Sequence, residues 1–256
     1  MAKHRIERPD FGGAFPEHIA VIMDGNGRWA QRQGFKRVLG HREGVRSVRD
    51  ITTECARMGV QSLTLYAFSI ENWKRPREEI EFLMRMLEQF LVDERGTLMD
   101  NDVRLIGIGR IQDLPSGPLG KLRETEALTA RNPGMLLRLA LSYGARTEIA
   151  EAVQHMIRDA QAGKLDPSAI DEESLRAYLY DPRTPDPDLL IRTAGEMRLS
   201  NFLLWQASYA ELYVSDVCWP EFRREHLLAA LREYARRVRK FGGLVEGESK
   251  QSGVRG

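Results

Sequence analysis

The sequence predicts an α/β fold: a single domain on a mainly parallel sheet of about six strands, covered by helices on both faces. Short apolar runs rich in β-branched residues alternate with longer stretches whose apolar residues recur at helical spacing. No repeat, linker or break in composition divides the 256 residues. A third observation orients the fold. Asp24, Ser69 and Arg192 each fall just after a predicted strand, and ligands of such sheets bind beyond the carboxyl ends of the strands.

The elements follow in order. Residues 1–17 carry Pro9, Gly12, Gly13 and Pro16 and read as a flexible N-terminal arm. Ile19 to Met23 is an apolar run too short for a buried helix, hence a central strand. From Val38 the apolar positions 45, 48, 51, 55 and 58 predict a helix, stopped by Gly59. Val60 to Phe68 holds the next strand. Pro76 precedes a helix with Glu78 and Glu79 in its first turn, where the dipole favours acids. Its body, Ile80 to Leu91, is apolar over much of its circumference. Asp102–Ile108, Met135–Leu141, Asp188–Ile191 and Leu212–Ser215 read as further strands. Leu119–Ala130, Thr147–Ala160, Glu172–Leu179 and Glu225–Lys240 read as helices. Residues 242–256, with Gly247, Ser249, Ser252 and Gly253, read as a disordered tail, leaving 18–241 as the folded domain.

Composition bounds the function. Hydrophobic content of 42% and charged content of 29% suit a globule with a buried core. A net charge of +1 gives no global field for nucleic acid, so any anion site must be built locally. The two cysteines, Cys55 and Cys218, form no metal spacing, and Cys55 lies on an apolar helical stripe as a reduced core thiol. The N-terminus lacks the apolar core of a signal peptide, and no apolar run approaches membrane-spanning length. A cytoplasmic protein is expected.

Three stretches carry chemistry. Asp24-Gly-Asn-Gly-Arg28 follows the first strand: an acid, two glycines that let backbone approach a ligand, and a cation. If a helix begins just beyond, its free N–H groups favour an anion there, and a carboxylate beside an anion cradle suits a divalent metal between them. Three other readings fit less well. A hairpin turn needs a returning alternating strand, but Ala30 to Lys36 is polar and basic. A calcium loop needs an acid at its twelfth position, which is Phe35. A dinucleotide fingerprint over Gly25, Gly27 and Ala30 needs an acid about 20 residues on, at the end of the second strand, yet that strand ends near Phe68. The second stretch, Ser69-Ile-Glu-Asn-Trp-Lys-Arg-Pro76, offers a hydroxyl, an amide and two cations. The third, Arg192-Thr-Ala-Gly-Glu-Met-Arg-Leu-Ser-Asn201, holds two arginines, whose planar forks suit phosphate oxygens. Phe-Leu-Leu-Trp follows it and anchors the loop to the core.

These three motifs, in this order, resemble the cis-prenyltransferases, with undecaprenyl diphosphate synthase the closest type; the likeness runs from about His18 to Gly243. The trans-type synthases use Asp-Asp-x-x-Asp, and this chain has no adjacent Asp pair. The resemblance implies Mg²⁺-dependent, Z-selective condensation of isopentenyl diphosphate onto an allylic diphosphate such as farnesyl diphosphate. It also implies a homodimer, with at most peripheral membrane contact for product release. On this resemblance Asp24 and Glu211 hold Mg²⁺. Gly25, Asn26, Gly27, Arg28, Arg37 and His41 receive the allylic diphosphate. Trp29 and Trp73 border the prenyl entrance, which Ser69, Ile70, Glu71 and Arg75 complete. Arg192, Arg198, Leu199 and Ser200 hold isopentenyl diphosphate.

Proton removal falls to Asn72 in the family, but a neutral amide is a very weak base; His41 and the departing diphosphate are the alternatives. Many relatives carry His where this chain has Met197, and a thioether is a poor Mg²⁺ ligand. The helix Ile80 to Leu91 can be plain core, or one wall of an apolar product tunnel opposite the small residue Ala67. Two rival functions remain: a catalytically silent prenyl-lipid-binding subunit, and a nicotinamide-binding oxidoreductase.

Overall fold

A computed structural model describes residues 6–238. Six strands form one sheet: β1 His18–Ile22, β2 Ser62–Ser69, β3 Arg104–Ile108, β4 Leu136–Tyr143, β5 Leu189–Arg192 and β6 Glu211–Val214. Their order is β3-β4-β2-β1-β5-β6, and every pairing is parallel. All five residues of β1 are buried, as expected of a continuous apolar run covered on both faces. β6 is an edge strand that alternates half-buried and exposed residues.

The α-helices are α1 Asn26–Arg32, α2 Arg37–Arg57, α3 Arg77–Asp93, α4 Arg95–Asp100, α5 Ser116–Thr129, α6 Ala145–Gln161, α7 Glu172–Arg176 and α8 Arg224–Arg236. The sequence pattern does not assign α1 or α4. α1 is a short helix in a polar, basic stretch, and α4 follows α3 after the single residue Glu94. α8 stops at Arg236 because Arg237 is extended, with ψ 143°. Lys240 and the 242–256 tail lie outside the described residues.

One face of the sheet carries the larger core. Ile19, Val21, Leu63, Leu65, Leu137 and Leu139 meet Ile51 and Cys55 of α2, Leu83 and Leu91 of α3, and Leu227 and Leu231 of α8. Cys55 is a free, fully buried thiol whose pKa burial pushes up. On the other face Ala20, Ile22, Ala140 and Leu190 lie in a second cluster with Ala145 of α6 and with Phe202, Leu203 and Ala207. Irregular chain thus does part of the covering that the pattern assigns to helices. Residues 6–17 form neither helix nor strand. They are nonetheless tied down: Glu7 N donates to Arg57 O at 2.9 Å, and Phe11 and Phe15 pack against the core. No helix among the described residues is long and apolar enough to cross a membrane.

A buried polar cluster holds the start of β1, the strand that leads into Asp24. His18 Nε2 receives Arg138 Nη2 at 3.1 Å and lies 2.8 Å from Thr64 Oγ1, while Nδ1 lies 2.7 Å from Pro185 O. The carbonyl requires Nδ1 to carry the proton. Burial first, then the Arg138 charge, push the His18 pKa down to about 3. Below pH 6.5 the unfolded chain therefore takes up a proton at residue 18 that the folded chain refuses, so stability falls as pH drops. At pH 5 this single group costs about 2 kcal/mol. His18→Gln should flatten the unfolding free energy between pH 6.5 and 5, measured by urea denaturation; a slope equal to that of the wild type would remove His18 as the cause.

Candidate active site

Parallel pairing sets Ile22 of β1 between Tyr66 of β2 and Arg192 of β5. The segments leaving these strands converge there. Asp24 opens the turn into α1, and both its backbone groups are held: its N–H donates to Thr193 Oγ1 at 2.8 Å and its carbonyl accepts from the same hydroxyl at 2.7 Å. Gly25 follows with φ 96°, and a Cβ there would lie 2.7 Å from Ala194 Cβ and 2.8 Å from Cys218 Sγ. Only glycine satisfies both the left-handed backbone and the close packing.

Asp24 is the hub of an ion-pair network. Arg192, only 4% exposed, donates Nη2 to Asp24 Oδ2 at 2.9 Å and Nη1 to Ser200 Oγ at 2.7 Å and to Arg198 O. Arg28 lies 3.2 Å from Asp24 Oδ1 and 2.8 Å from Glu196, which also pairs with Arg198. Burial opposes ionisation of Asp24, but hydrogen bonds from Arg192 and Gly25 N–H, with the charges of Arg192 and Arg28, outweigh it and hold the carboxyl below its usual range. Two buried polar atoms here have no partner, Arg192 Nε and Asn26 Oδ1. A buried polar group favours a partner, so both atoms are available to a bound group.

A cavity of about 670 Å³ opens at this network. Asp24, Asn26, His41, Ser69, Asn72, Arg75, Arg192 and Ser200 line its polar part. Deeper, it runs between Val45 and Val48 of α2, Leu83, Met84, Met86, Leu87 and Phe90 of α3, and Leu65, Ala67, Leu139 and Leu141 of the sheet. Ala67 sits at an irregularity in the β2–β4 register between Tyr66 and Phe68, and its side is exposed to this space. It is not packed core. Burial first, then the charge of Arg75 against the opposing Glu79, push the His41 pKa down to about 4, so its ring is neutral at pH 7. Asn72 Oδ1 accepts Ser69 N–H at 3.1 Å and caps the 3₁₀ turn Ile70–Lys74.

A family profile described as "Putative undecaprenyl diphosphate synthase" matches residues 22–242. The chain belongs to this family of cis-prenyltransferases. It is 50% identical over 229 residues to an isoprenyl transferase of Heliobacterium mobile, covering 90% of this chain and 88% of that one. An isoprenyl transferase of Bacillus cereus is 47% identical over 232 residues, 91% of this chain and 90% of the other. Among solved structures, lavandulyl diphosphate synthase from Lavandula x intermedia, in complex with dimethylallyl diphosphate, superposes with TM-score 0.87 at 37% identity. That match covers 89% of this chain and 98% of the other. A "probable undecaprenyl diphosphate synthase" from Campylobacter jejuni gives 0.75 at 34% identity, covering 90% and 99%. The protein is accordingly a prenyl-transferring enzyme.

Not every residue that the family resemblance nominates reaches the cavity wall. Trp73 donates Nε1 to Ser142 Oγ at 2.8 Å and packs edge-on against Phe68 at 4.8 Å, turned toward the core. Trp29 lies 6.4 Å from Phe35, and Leu199 packs on the second core cluster. A Cβ on Gly27 would meet the Arg37 guanidinium at 2.9 Å, so this glycine makes room for Arg37. Ile70 and Arg198 also lie outside the lining, Arg198 held by Glu196.

Glu211 lies apart from Asp24 within one chain. It pairs with Leu189 at the start of β5, and Leu189 in turn pairs with Ile19, five residues before Asp24. Five residues of strand span roughly 16 Å, and Glu211 instead accepts Arg237 at 3.0 Å. Within one chain it does not join Asp24. Glu196 and Asn201 lie in the third motif without an assigned role, and Arg146 escapes the sequence reading altogether. Arg146 follows β4 as Asp24 follows β1, so the strand-end rule could have found it.

Among the described residues no group of three or more His, Cys, Asp or Glu side chains is placed to hold a metal. One carboxylate still fits Mg²⁺, which commonly keeps its waters and binds one or two carboxylates plus substrate phosphates. Met197, 87% exposed, has no place in such a donor set.

Two glycines of α2 let it lie against the Asp24 turn. A Cβ on Gly40 would fall 1.9 Å from Asn26 O, and on Gly44 2.5 Å from Asn26 Oδ1. Gly40→Ala should push α1 off α2, costing roughly 1–3 kcal/mol and lowering the melting temperature by several degrees with loss of turnover. An unchanged melting curve would show that the Asn26 turn yields freely.

Proposed function

We propose that this chain is a Mg²⁺-dependent cis-prenyl diphosphate synthase that condenses isopentenyl diphosphate with an allylic diphosphate such as farnesyl diphosphate. The product we assign is a polyprenyl diphosphate of undecaprenyl length, the lipid carrier for cell-wall polysaccharide. The observation that carries this reading is a single cavity with a charged mouth at Asp24 and Arg192 and an apolar depth between α2, α3 and the sheet. A diphosphate with a growing hydrocarbon tail has the same two halves. A silent subunit would not need the Asp24–Arg192–Ser200 network.

As the allylic C–O bond breaks, negative charge gathers on the departing diphosphate. Arg28, Arg37 and the N–H groups of Asn26 and Gly27 stabilise that charge more in the transition state than in the ground state, while Gly25, whose N–H holds Asp24, lets the backbone turn beside it. Mg²⁺ bound at Asp24 would neutralise part of it. Arg192, Arg198, Leu199 and Ser200 orient the alkene of isopentenyl diphosphate. For the proton, the Asn72 oxygen already accepts Ser69 N–H, and a His41 with a pKa near 4 is a poor acceptor. An oxygen of the departing diphosphate takes it, and Asn72 positions Ser69. We assign a homodimer through the edge strand β6, where Leu212 and Val214 are exposed beside Tyr209. Glu211 would then meet the diphosphate site of a second copy. A cytoplasmic location, with peripheral membrane contact when product leaves, accords with this chemistry.

Purified protein with farnesyl diphosphate, labelled isopentenyl diphosphate and Mg²⁺ should give a ladder of longer prenyl diphosphates, and chelator should stop it. Asp24→Ala should keep the fold and lower turnover by about 10³ or more. Full activity of that variant in excess chelator would overturn the assignment, and a product that stops after a single condensation onto farnesyl diphosphate would favour a short-chain synthase.

Entry of each five-carbon unit into an apolar channel gains on the order of 4 kcal/mol at about 0.8 kcal/mol per CH₂. The chain is driven inward until it meets the floor. Ala67→Leu places three carbons on the cavity wall opposite α3 and should shorten the product while the first condensation survives. Chromatography of products beside a melting curve is the test; an unchanged length distribution removes residue 67 from the tunnel.

A further inference from the structure

Three arginines line the cavity: Arg75, Arg146 and Arg192. Two are already neutralised. Arg192 is held by Asp24 at 2.9 Å and Arg75 by Glu79 at 2.9 Å. Of the arginines just outside the wall, Arg28 is engaged with Asp24 and Glu196 and Arg198 with Glu196, while Arg37 reaches Gln31. An incoming anion must draw each of the paired cations away from a carboxylate, so part of each new contact replaces an old one. Arg146 differs: its guanidinium has no carboxylate partner among the described residues, and it is exposed to the cavity mouth.

Its position is nevertheless fixed. Asn201 accepts Arg146 N–H on Oδ1 at 2.9 Å and Ala145 N–H on its carbonyl at 2.8 Å, while its Nδ2 donates to Glu71 at 2.8 Å. Gly144 leaves the space for this, since a Cβ there would lie 2.8 Å from Asn201 Nδ2. Ser200 and Asn201 hold φ of 49° and 61°, a conformation unfavourable for residues other than glycine that persists where surrounding contacts enforce it. The same two-residue turn thus presents Ser200 to Arg192 and anchors the backbone of Arg146. Three chain segments far apart in sequence meet at Asn201, and Arg146 emerges beside the Ser200–Arg192 pair.

We infer that Arg146 is a further diphosphate-binding residue, and that it contacts isopentenyl diphosphate on the Arg192–Ser200 side of the cavity. This rests on the synthase reading above. An unpaired guanidinium gives up water but no ion pair when the anion arrives, so less of each charge-assisted bond is offset.

Arg146→Gln should raise the KM for isopentenyl diphosphate about 10-fold or more, with the KM for farnesyl diphosphate within 2-fold and the melting temperature unchanged. Arg146→Lys should recover part of the loss, and Arg158→Gln, an exposed change on the same helix, should move neither constant. An unchanged KM for isopentenyl diphosphate, or equal rises for both substrates, would overturn the inference. Calorimetric titration with inorganic diphosphate separates this from the synthase reading. Weaker binding by Arg146→Gln than by wild type supports an anion site at Arg146 even if no prenyl product forms, and equal binding overturns it.

Discussion

The ion pair between Asp24 and Arg192 is the constraint on which the rest of the site depends. The two residues lie 168 positions apart and meet because β1 and β5 run parallel and in register, Ile22 against Arg192. Each partner makes the other tolerable. A guanidinium 4% exposed would be costly beside no carboxylate, and Asp24 owes its low pKa to that same guanidinium against the opposing effect of burial. Arg192 also reaches Ser200 and Arg198 O, so the pair ties the first motif to the third. Removing either partner would leave the other's charge without its counter-ion.

Around that pair, the fold creates space rather than filling it. Gly40 and Gly44 let α2 approach the Asn26 turn, and the register irregularity at Ala67 turns a small residue toward α3. The wide apolar face of α3 then covers a cavity. A helix packed only against a sheet would bury that face; here Met86, Leu87 and Phe90 are half-buried and border open volume. On the opposite face of the sheet, Phe202 and Leu203 are fully buried and pin the 199–210 segment. The polar half of the site therefore sits on a loop anchored by apolar residues, next to backbone held in unfavourable conformations.

Much of the architecture was legible from pattern alone. β1 reads as a central strand because its apolar run is short, β-branched and unbroken. α2 and α3 are long enough for their periodicity to survive. α1 was hidden because its seven residues are mostly polar, and it is stabilised by packing against α2 through Gly40 rather than by an apolar stripe of its own. The covering of the second face by irregular chain was hidden for a similar reason: loops leave no periodicity. Of the site, the strand-end positions Asp24, Ser69 and Arg192 follow from the parallel sheet. The finer roles came from resemblance, and the structure sorts them unevenly. Asn26, His41, Asn72 and Ser200 line the cavity, while Trp73 turns to the core and Glu211 lies toward the other end of the strands.

By itself the sequence determined the order of the strands and of the longer helices, the end of the strands at which chemistry is placed, and the family. Those depend on local periodicity and on contiguous motifs, which a linear chain carries intact. Only the tertiary structure decided that a cavity exists, that Ala67 borders it, that Arg146 joins its mouth unpaired, and that Glu211 does not reach Asp24 within one chain. Each of these depends on the register and packing of segments far apart in sequence, where a shift of one residue turns a side chain from cavity to core.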